Sequence, residues 1–283
     1  MTAFTARTVE RDSLFTRADF RSKLALLLTV TGVVFLWESP LLLALLALAL
    51  ALLALRAGVH PRYFRLVLGL MLPVYLTLLL TQGFFADALV EGRTGRAALT
   101  PLLTLPEAWW LVGGESLTRE GLLYGLAIVF KTLALAFVLP LVIFTTDPNT
   151  MIVSLVRLGV PYKLAFIFSA TLRFFPLLLA EAQAIIEAQR LRGLAVEELG
   201  LLRRARVYAR LAVPLILGTL VRSQTLDLVL QAKAFSGSPR RSYLHESHLG
   251  REDGLLLALT ALFLLGALVG YFGFGVGRFL WGL

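Results

Sequence analysis

Apolar residues in this chain fall into long runs separated by charged stretches. Leu41–Leu55 reads LLLALLALALALLAL without a polar break. A run of that kind has no polar face to show to water and reads as lipid-facing helix. The pattern predicts five main membrane segments: Leu24–Trp37, Leu41–Leu55, Leu66–Phe85, Leu122–Phe144 and Leu255–Phe272. The first two are short and joined by Glu38-Ser39-Pro40, which predicts a helical hairpin. A sixth run, Leu164–Ala180, is interrupted by Arg173 and Pro176. The pattern leaves open whether it crosses, enters or lies on the membrane.

The segment 145–254 has a different texture. Thr145-Thr146-Asp147-Pro148 predicts a helix start, with Thr146 or Asp147 as the cap and Pro148 in the first turn. A short amphipathic helix is expected to about Leu158, and Gly159-Val160-Pro161 breaks it. A long helix then runs to Arg192. Its second part, RFFPLLLAEAQAIIEAQRLRG (Arg173–Gly193), starts apolar and ends charged. About twenty helical residues cover roughly 30 Å, enough to run from lipid depth to outside a bilayer. Arg190 and Arg192 in its last turn complement the negative end of the helix dipole, and Gly193 suits a left-handed cap.

The basic stretch Arg203–Arg210 is expected at the interface or as a loop over lipid headgroups. A second long helix is expected from about Val207 to Phe235, with Pro214 as the place for a kink. Ser223, Asp227 and Gln231 recur every four residues and share a face. Lys233 stands in its last turns as Arg192 does in the first. Three regions follow: an N-terminal membrane domain with four transmembrane helices (1–144), a coupling domain (145–254), and a C-terminal transmembrane helix with its tail (255–283).

Composition agrees with the pattern. Of 283 residues, 58% are hydrophobic, and mean hydropathy is +0.81, outside the soluble range. The expected fold is an all-α integral membrane protein, multi-pass in a bacterial or archaeal cytoplasmic membrane. The N-terminal tail carries Arg7, Arg11, Arg17, Arg21 and Lys23, the loop after the second segment Arg56, Arg62 and Arg65, and segment 145–254 fourteen further Lys and Arg. In the 87–120 loop Arg93, Arg96 and Arg119 are outnumbered by Asp87, Glu91, Glu107, Glu115 and Glu120. The positive-inside rule then predicts a cytoplasmic N-terminus and an external C-terminus. The net charge of +9 is thereby gathered on one side, which argues against a nucleic-acid partner and for lipid headgroups. Trp109 and Trp110 in the outer loop read as an interfacial anchor or a partner contact.

Little here suggests catalysis. There is no cysteine, so disulfides, thiolate metal sites and thiol nucleophiles are excluded. His245 and His248 beside Glu246 form a metal-site fragment or a solvated polar loop; no metal site is assigned. No cleavable signal peptide is evident, because the N-terminus carries Glu10 and Asp12 and the first apolar run starts near Leu24. No GxxxxGK[ST] phosphate loop occurs, and no acid–base pair or nucleophile constellation is assigned. Cations inside apolar runs are costly and normally have a partner or a watery site, which singles out Arg173 and Lys131. An interfacial structural role suits Arg173. Arg190, Arg192 and Lys233 admit two readings, as positive-inside charges at helix ends or as contacts for a soluble partner.

These residues carry a resemblance. The chain is similar to the transmembrane T component (EcfT/CbiQ scaffold) of energy-coupling factor (ECF) transporters, which include cobalt, nickel and biotin importers. FTRADFRSKLALLL (Phe15–Leu28) resembles the family's entry into its first helix, and TTDPNTMIVSLVRLGVPYKLAF (Thr145–Phe166) its central element. Leu191-Arg192-Gly193 falls at the family's Ala-Arg-Gly signature. At the second signature, Glu-Ala-Arg-Gly-Phe, this chain has Gln231-Ala232-Lys233-Ala234-Phe235. Lysine keeps the charge and loses the planar fork. With alanine in the glycine's place, the helix is expected to run on to Gly237 before capping.

The resemblance implies a non-catalytic subunit. Two ABC ATPases, alike or different, would each receive one tip, Leu191-Arg192-Gly193 or Ala232-Lys233-Ala234. Arg173, Arg190, Arg222, Asp227 and Gln231 would support them. ATP and Mg would be used by the ATPases, and no cofactor would be bound by this chain. The long helices would then shift one substrate-binding membrane subunit carrying a vitamin or transition-metal ion. A conventional ABC permease would need polar groups lining its membrane helices, and these are nearly all Leu, Ala, Val and Phe. A lipid-modifying membrane enzyme would need converging acids and histidines, which the sequence does not bring together.

Overall fold

In the computed structural model, residues 13–86, 90–92, 100–104, 116–193, 200–235 and 250–278 are described. Trp109, Trp110, His245 and His248 lie outside them. The described elements are α1 (Leu14–Arg17), α2 (Phe20–Leu36), α3 (Pro40–Arg56), α4 (Pro61–Phe85), β1 (Pro101–Thr104), β2 (Ser116–Thr118), α5 (Arg119–Ile143), α6 (Pro148–Arg157), α7 (Tyr162–Leu191), α8 (Leu201–Ala232) and α9 (Arg251–Phe274). β1 and β2 form a small antiparallel pair. The protein is an all-α membrane protein in every other respect.

Five helices are long and apolar enough to cross a membrane: α4, α5, α7, Val207–Ala232 within α8, and α9. Three of these match expected segments. The hairpin helices α2 and α3 have 17 residues each. Such a helix rises about 25 Å, a little less than a ~30 Å hydrocarbon core. Conversely α7 and α8, read from sequence as a coupling module, meet the length and polarity needed to span. The basic stretch Arg203–Arg210 lies within α8, so it is helix and not a loop.

The chain divides into two compact units, Met1–Ser154 with Ser247–Leu283, and Leu155–Glu246. In the first, α5 is the central helix. Val129, Leu133, Ala134, Phe137 and Val138 on α5 are buried against Val30 and Val34 of α2 and Leu43, Ala47 and Leu50 of α3. Alanine on both sides lets the α3 and α5 backbones approach closely, the usual device for packing helices in lipid. Gly125 on α5 serves α4 in the same way: a Cβ there would meet the Leu79 backbone at 3.4 Å. The turn between α2 and α3 is held from the far end of the chain, as the Glu38 and Ser39 amides donate to the Gly277 carbonyl at 2.7 and 3.0 Å.

The first unit also contains a buried polar network at the N-terminal end of α2. Asp19, Ser22, Lys23, Thr145, Thr146, Ser154 and Asp253 are all nearly inaccessible. Lys23 Nζ donates to the Thr145 carbonyl (2.9 Å) and to Thr146 Oγ1 (2.8 Å). Thr146 is thus engaged by Lys23, and Asp147 caps α6, accepting from the Asn149 and Thr150 amides. That resolves which of the two candidate caps is used.

Candidate functional site

The second unit is built on α7 and α8. α7 runs unbroken through Pro176 for 30 residues, about 45 Å, and α8 continues through Pro214 for 32. They pack side by side at three levels. Phe235, just beyond α8, lies against Phe166 and Tyr162 at the start of α7, with ring centroids 4.9 and 6.2 Å apart. Between them is an apolar groove of about 340 Å³, bordered by Thr171, Phe174 and Leu178 on α7 and Thr219, Ser223 and Leu226 on α8. Further along, Arg222 Nη1 donates to Glu181 Oε2. A Cβ on Gly218 would lie 3.3 Å from Glu181 Oε1, so glycine makes room for that ion pair.

The start of α7 therefore meets the end of α8, and the two helices are antiparallel. Their C-terminal tips accordingly point to opposite ends of the pair. From Phe166, beside the α8 tip, to Arg192 at the α7 tip is 26 residues, or about 39 Å along the helix.

Each tip stops on a defined backbone cap. At the first, Arg192 is the cap residue, Gly193 has φ 86°, and its amide donates to the Arg190 carbonyl at 2.9 Å. At the second, Lys233 is the cap residue. Ala234 has φ 53°, the one positive φ among the described non-glycine residues. The Ala234 amide donates to Gln231 O and the Phe235 amide to Leu230 O, both at 2.9 Å. This pair of bonds is a Schellman motif, with Phe235 as its apolar clamp on α7. The expectation that the helix continues to Gly237 is therefore wrong. The clamp and two hydrogen bonds hold alanine in a conformation that disfavours a Cβ, so the helix ends where a glycine would end it.

Arg190, Leu191, Arg192 and Gly193 at one tip and Gln231, Ala232, Lys233 and Ala234 at the other are all exposed. Leu191 is 91% exposed, an unusual state for a large apolar side chain. Asp227 accepts from Gln231 Nε2 at 2.9 Å, one turn apart on α8. Arg173 is exposed on α7 and makes no hydrogen bond or ion pair among the described residues. Arg222, although exposed, reaches across to Glu181 and so links the two helices. The sequence reading missed Glu181 and Gly218. An acid within the apolar run of α7, against an arginine in α8, was the signal for the pair.

Residues 12–244 match the CbiQ family, described as cobalt transport protein. An energy-coupling factor transporter transmembrane protein EcfT of Acidaminococcus fermentans is 31% identical over 268 residues, covering 90% of this chain and 91% of its own length. The EcfT of Lactococcus lactis is 25% identical over 89% of this chain and 91% of its own. A putative ABC transporter ATP-binding protein of Bifidobacterium longum is 29% identical over 91% of this chain, which covers 32% of that longer protein. The matches span both the membrane helices and the α7–α8 pair: the chain belongs to the CbiQ family, as a non-catalytic transmembrane component of an energy-coupling factor transporter.

Proposed function

We propose that this chain transmits ATP-driven motion from two cytoplasmic ABC ATPases to one substrate-binding membrane subunit, for uptake of a vitamin or transition-metal ion. The observation that carries the reading is the antiparallel α7–α8 pair with a basic, capped tip at each end. Two separate tips suit two ATPase subunits, one each. Arg192 offers a planar fork to a carboxylate or to backbone carbonyls in an ATPase groove, and Leu191 beside it offers apolar area. Lys233 offers a compact charge at the other tip. The relative from Bifidobacterium longum supports the partnership, because a segment like this chain occurs there in a protein named as ATP-binding. The N-terminus and both tips are cytoplasmic in this reading, and the C-terminus is external. ATP and Mg belong to the partners.

The test uses Arg192→Ala, Lys233→Ala and the double variant in membranes containing the cognate ATPases. Truncating a buried charge-assisted contact costs about 2–5 kcal/mol when its partner stays unpaired. Arg192→Ala should therefore strip ATPases from the purified complex or separate hydrolysis from uptake, with membrane insertion unchanged. Lys233→Ala should do so more mildly. Normal assembly and uptake in all three variants would mean the tips are only positive-inside charges.

A further inference from the structure

Helices α2, α3 and α9 do not close fully on one another. Within the first unit they leave a groove of about 330 Å³, bordered by Val30 on α2, Leu46 and Leu53 on α3, and Leu256 and Phe263 on α9. Among the described residues that line it, only Glu252 and Thr260 are polar. Glu252 stands at one end, and the Thr260 hydroxyl is spent on the Leu256 carbonyl at 2.6 Å. A polar solute would lose its hydrogen bonds to water along such walls, so the lining selects hydrocarbon. From Glu252 to Phe263 is eleven residues of α9, or about 16 Å. That is the depth of one leaflet in a ~30 Å hydrocarbon core, and α9 is long and apolar enough to cross such a core. A helix of the same length, about 10–12 Å across, takes up several times the volume of the groove. A slender chain fits there and a helix does not.

The end of the groove at Glu252 is basic. Arg17 lies 3.4 Å from Glu252 with 58% of its side chain exposed. Arg251 adjoins Glu252 at the start of α9, and Arg56 stands three residues beyond Leu53 at the end of α3; both are exposed. Three guanidinium groups against one carboxylate give this end a positive balance. The nearby carboxylates of Asp19 and Asp253 are buried and offset by Arg21 and Lys23. Guanidinium forks match phosphate oxygens. We propose that the groove is a phospholipid site: one acyl chain lies along α9 from Glu252 to Phe263, and Arg17, Arg56 and Arg251 take an anionic headgroup at its mouth. The lipid comes from whichever leaflet meets that end, so the site stands apart from the coupling reading and from the orientation of the chain. A lipid held there joins α2, α3 and α9 where their own side chains leave a gap.

The full chain in detergent is titrated with phosphatidylglycerol and with phosphatidylcholine carrying the same palmitoyl and oleoyl chains, and retained lipid is read by native mass spectrometry. Phosphatidylglycerol should be retained roughly tenfold better, and Arg17→Gln with Arg56→Gln should bring the two lipids to within about twofold. Ala49→Trp, which fills the groove from α3, should abolish retention of both, whereas Leu70→Trp on the exposed face of α4 should leave it unchanged. Equal retention of the two lipids by the unsubstituted chain overturns the headgroup assignment. Undiminished retention by Ala49→Trp overturns the groove as the place of binding. Should Ala49→Trp fail to fold, the unsubstituted chain decides the matter in nanodiscs containing phosphatidylglycerol with a photoreactive diazirine on its acyl chain. Adducts are expected on Leu46, Leu256 and Phe263 in preference to the outward-facing Leu66 and Leu76 of α4. Equal labelling of α4 reduces the bound lipid to the general annulus and overturns the site. Loss of the groove adducts in membranes containing the assembled transporter gives the groove to a partner subunit, and overturns a lipid as its occupant.

Discussion

Ala234 takes a left-handed backbone conformation that usually falls to glycine. An L-residue at φ 53° places its Cβ against the neighbouring carbonyl, at a cost of about 1–2 kcal/mol. Gly193 occupies the equivalent place at the other tip with no such cost. Ala234→Gly should therefore stabilise the chain by about 1 kcal/mol, raising Tm by roughly 2–4 °C in detergent. Ala234→Val, with a branched Cβ, should lower it. A fall in Tm for the glycine variant would show that the left-handed cap is not what the residue adopts in solution. The tips also differ in chemistry. Arg192→Lys removes the fork and keeps the charge, so it isolates directionality. It should make the α7 tip behave like the α8 tip, weakening ATPase recovery less than Arg192→Ala does. Equal loss in the two variants would mean that directionality carries the whole contact.

At the scale of elements, the antiparallel pairing of α7 and α8 rests on three contacts spaced along their length: the Phe235 clamp, the apolar groove, and Glu181 with Arg222 over Gly218. In water a pair as exposed as Glu181–Arg222 contributes about 0.2–1 kcal/mol. Gly218 is the more sensitive position, because a larger side chain collides with Glu181 and separates the helices there. Gly218→Leu should disrupt the pairing more than Glu181→Gln, read as faster proteolysis of the α7–α8 segment in membranes. Slower or equal proteolysis of Gly218→Leu would show that the helices do not depend on that approach. The helices themselves were readable from the sequence, since the apolar runs, the Asp147-Pro148 start and the Arg192-Gly193 stop are local signals. Their pairing was not, because Glu181 and Arg222 are 41 residues apart and no local pattern reports the contact. The end of α8 was misread for a related reason. Alanine signals a continuing helix, and the contact of Phe235 with Phe166 and Tyr162, together with the two capping hydrogen bonds, overrides it. The candidate tips were found through their charges and the family resemblance, whereas the antiparallel arrangement that separates them came from the fold.

At the scale of the whole molecule, orientation decides whether the tips can meet ATPases at all. The coupling reading needs both tips to face the cytoplasm, and the positive-inside rule favours the same orientation. The N-terminal tail, the loop after α3 and segment 145–254 hold most of the Lys and Arg, while acids outnumber bases in the 87–120 loop. The lengths of α7 and α8 sharpen the question, because each is long and apolar enough to cross a bilayer. If α7 crossed fully, its tip and that of α8 would emerge on opposite faces, since the two helices are antiparallel. Arg192 and Lys233 could not then both reach cytoplasmic ATPases. The coupling reading therefore requires the pair to lie along the interface or to enter the membrane only in part. Single cysteines at Gly193→Cys and Ser236→Cys, in a chain without native cysteine, report the two tips separately. An impermeant maleimide added to intact cells should label neither, and both should react once the cells are opened. A third variant, Leu283→Cys, which the proposed orientation puts outside, should react in intact cells. Labelling of one tip and not the other from outside would establish a spanning α7–α8 pair, and the two-tip mechanism would have to be abandoned.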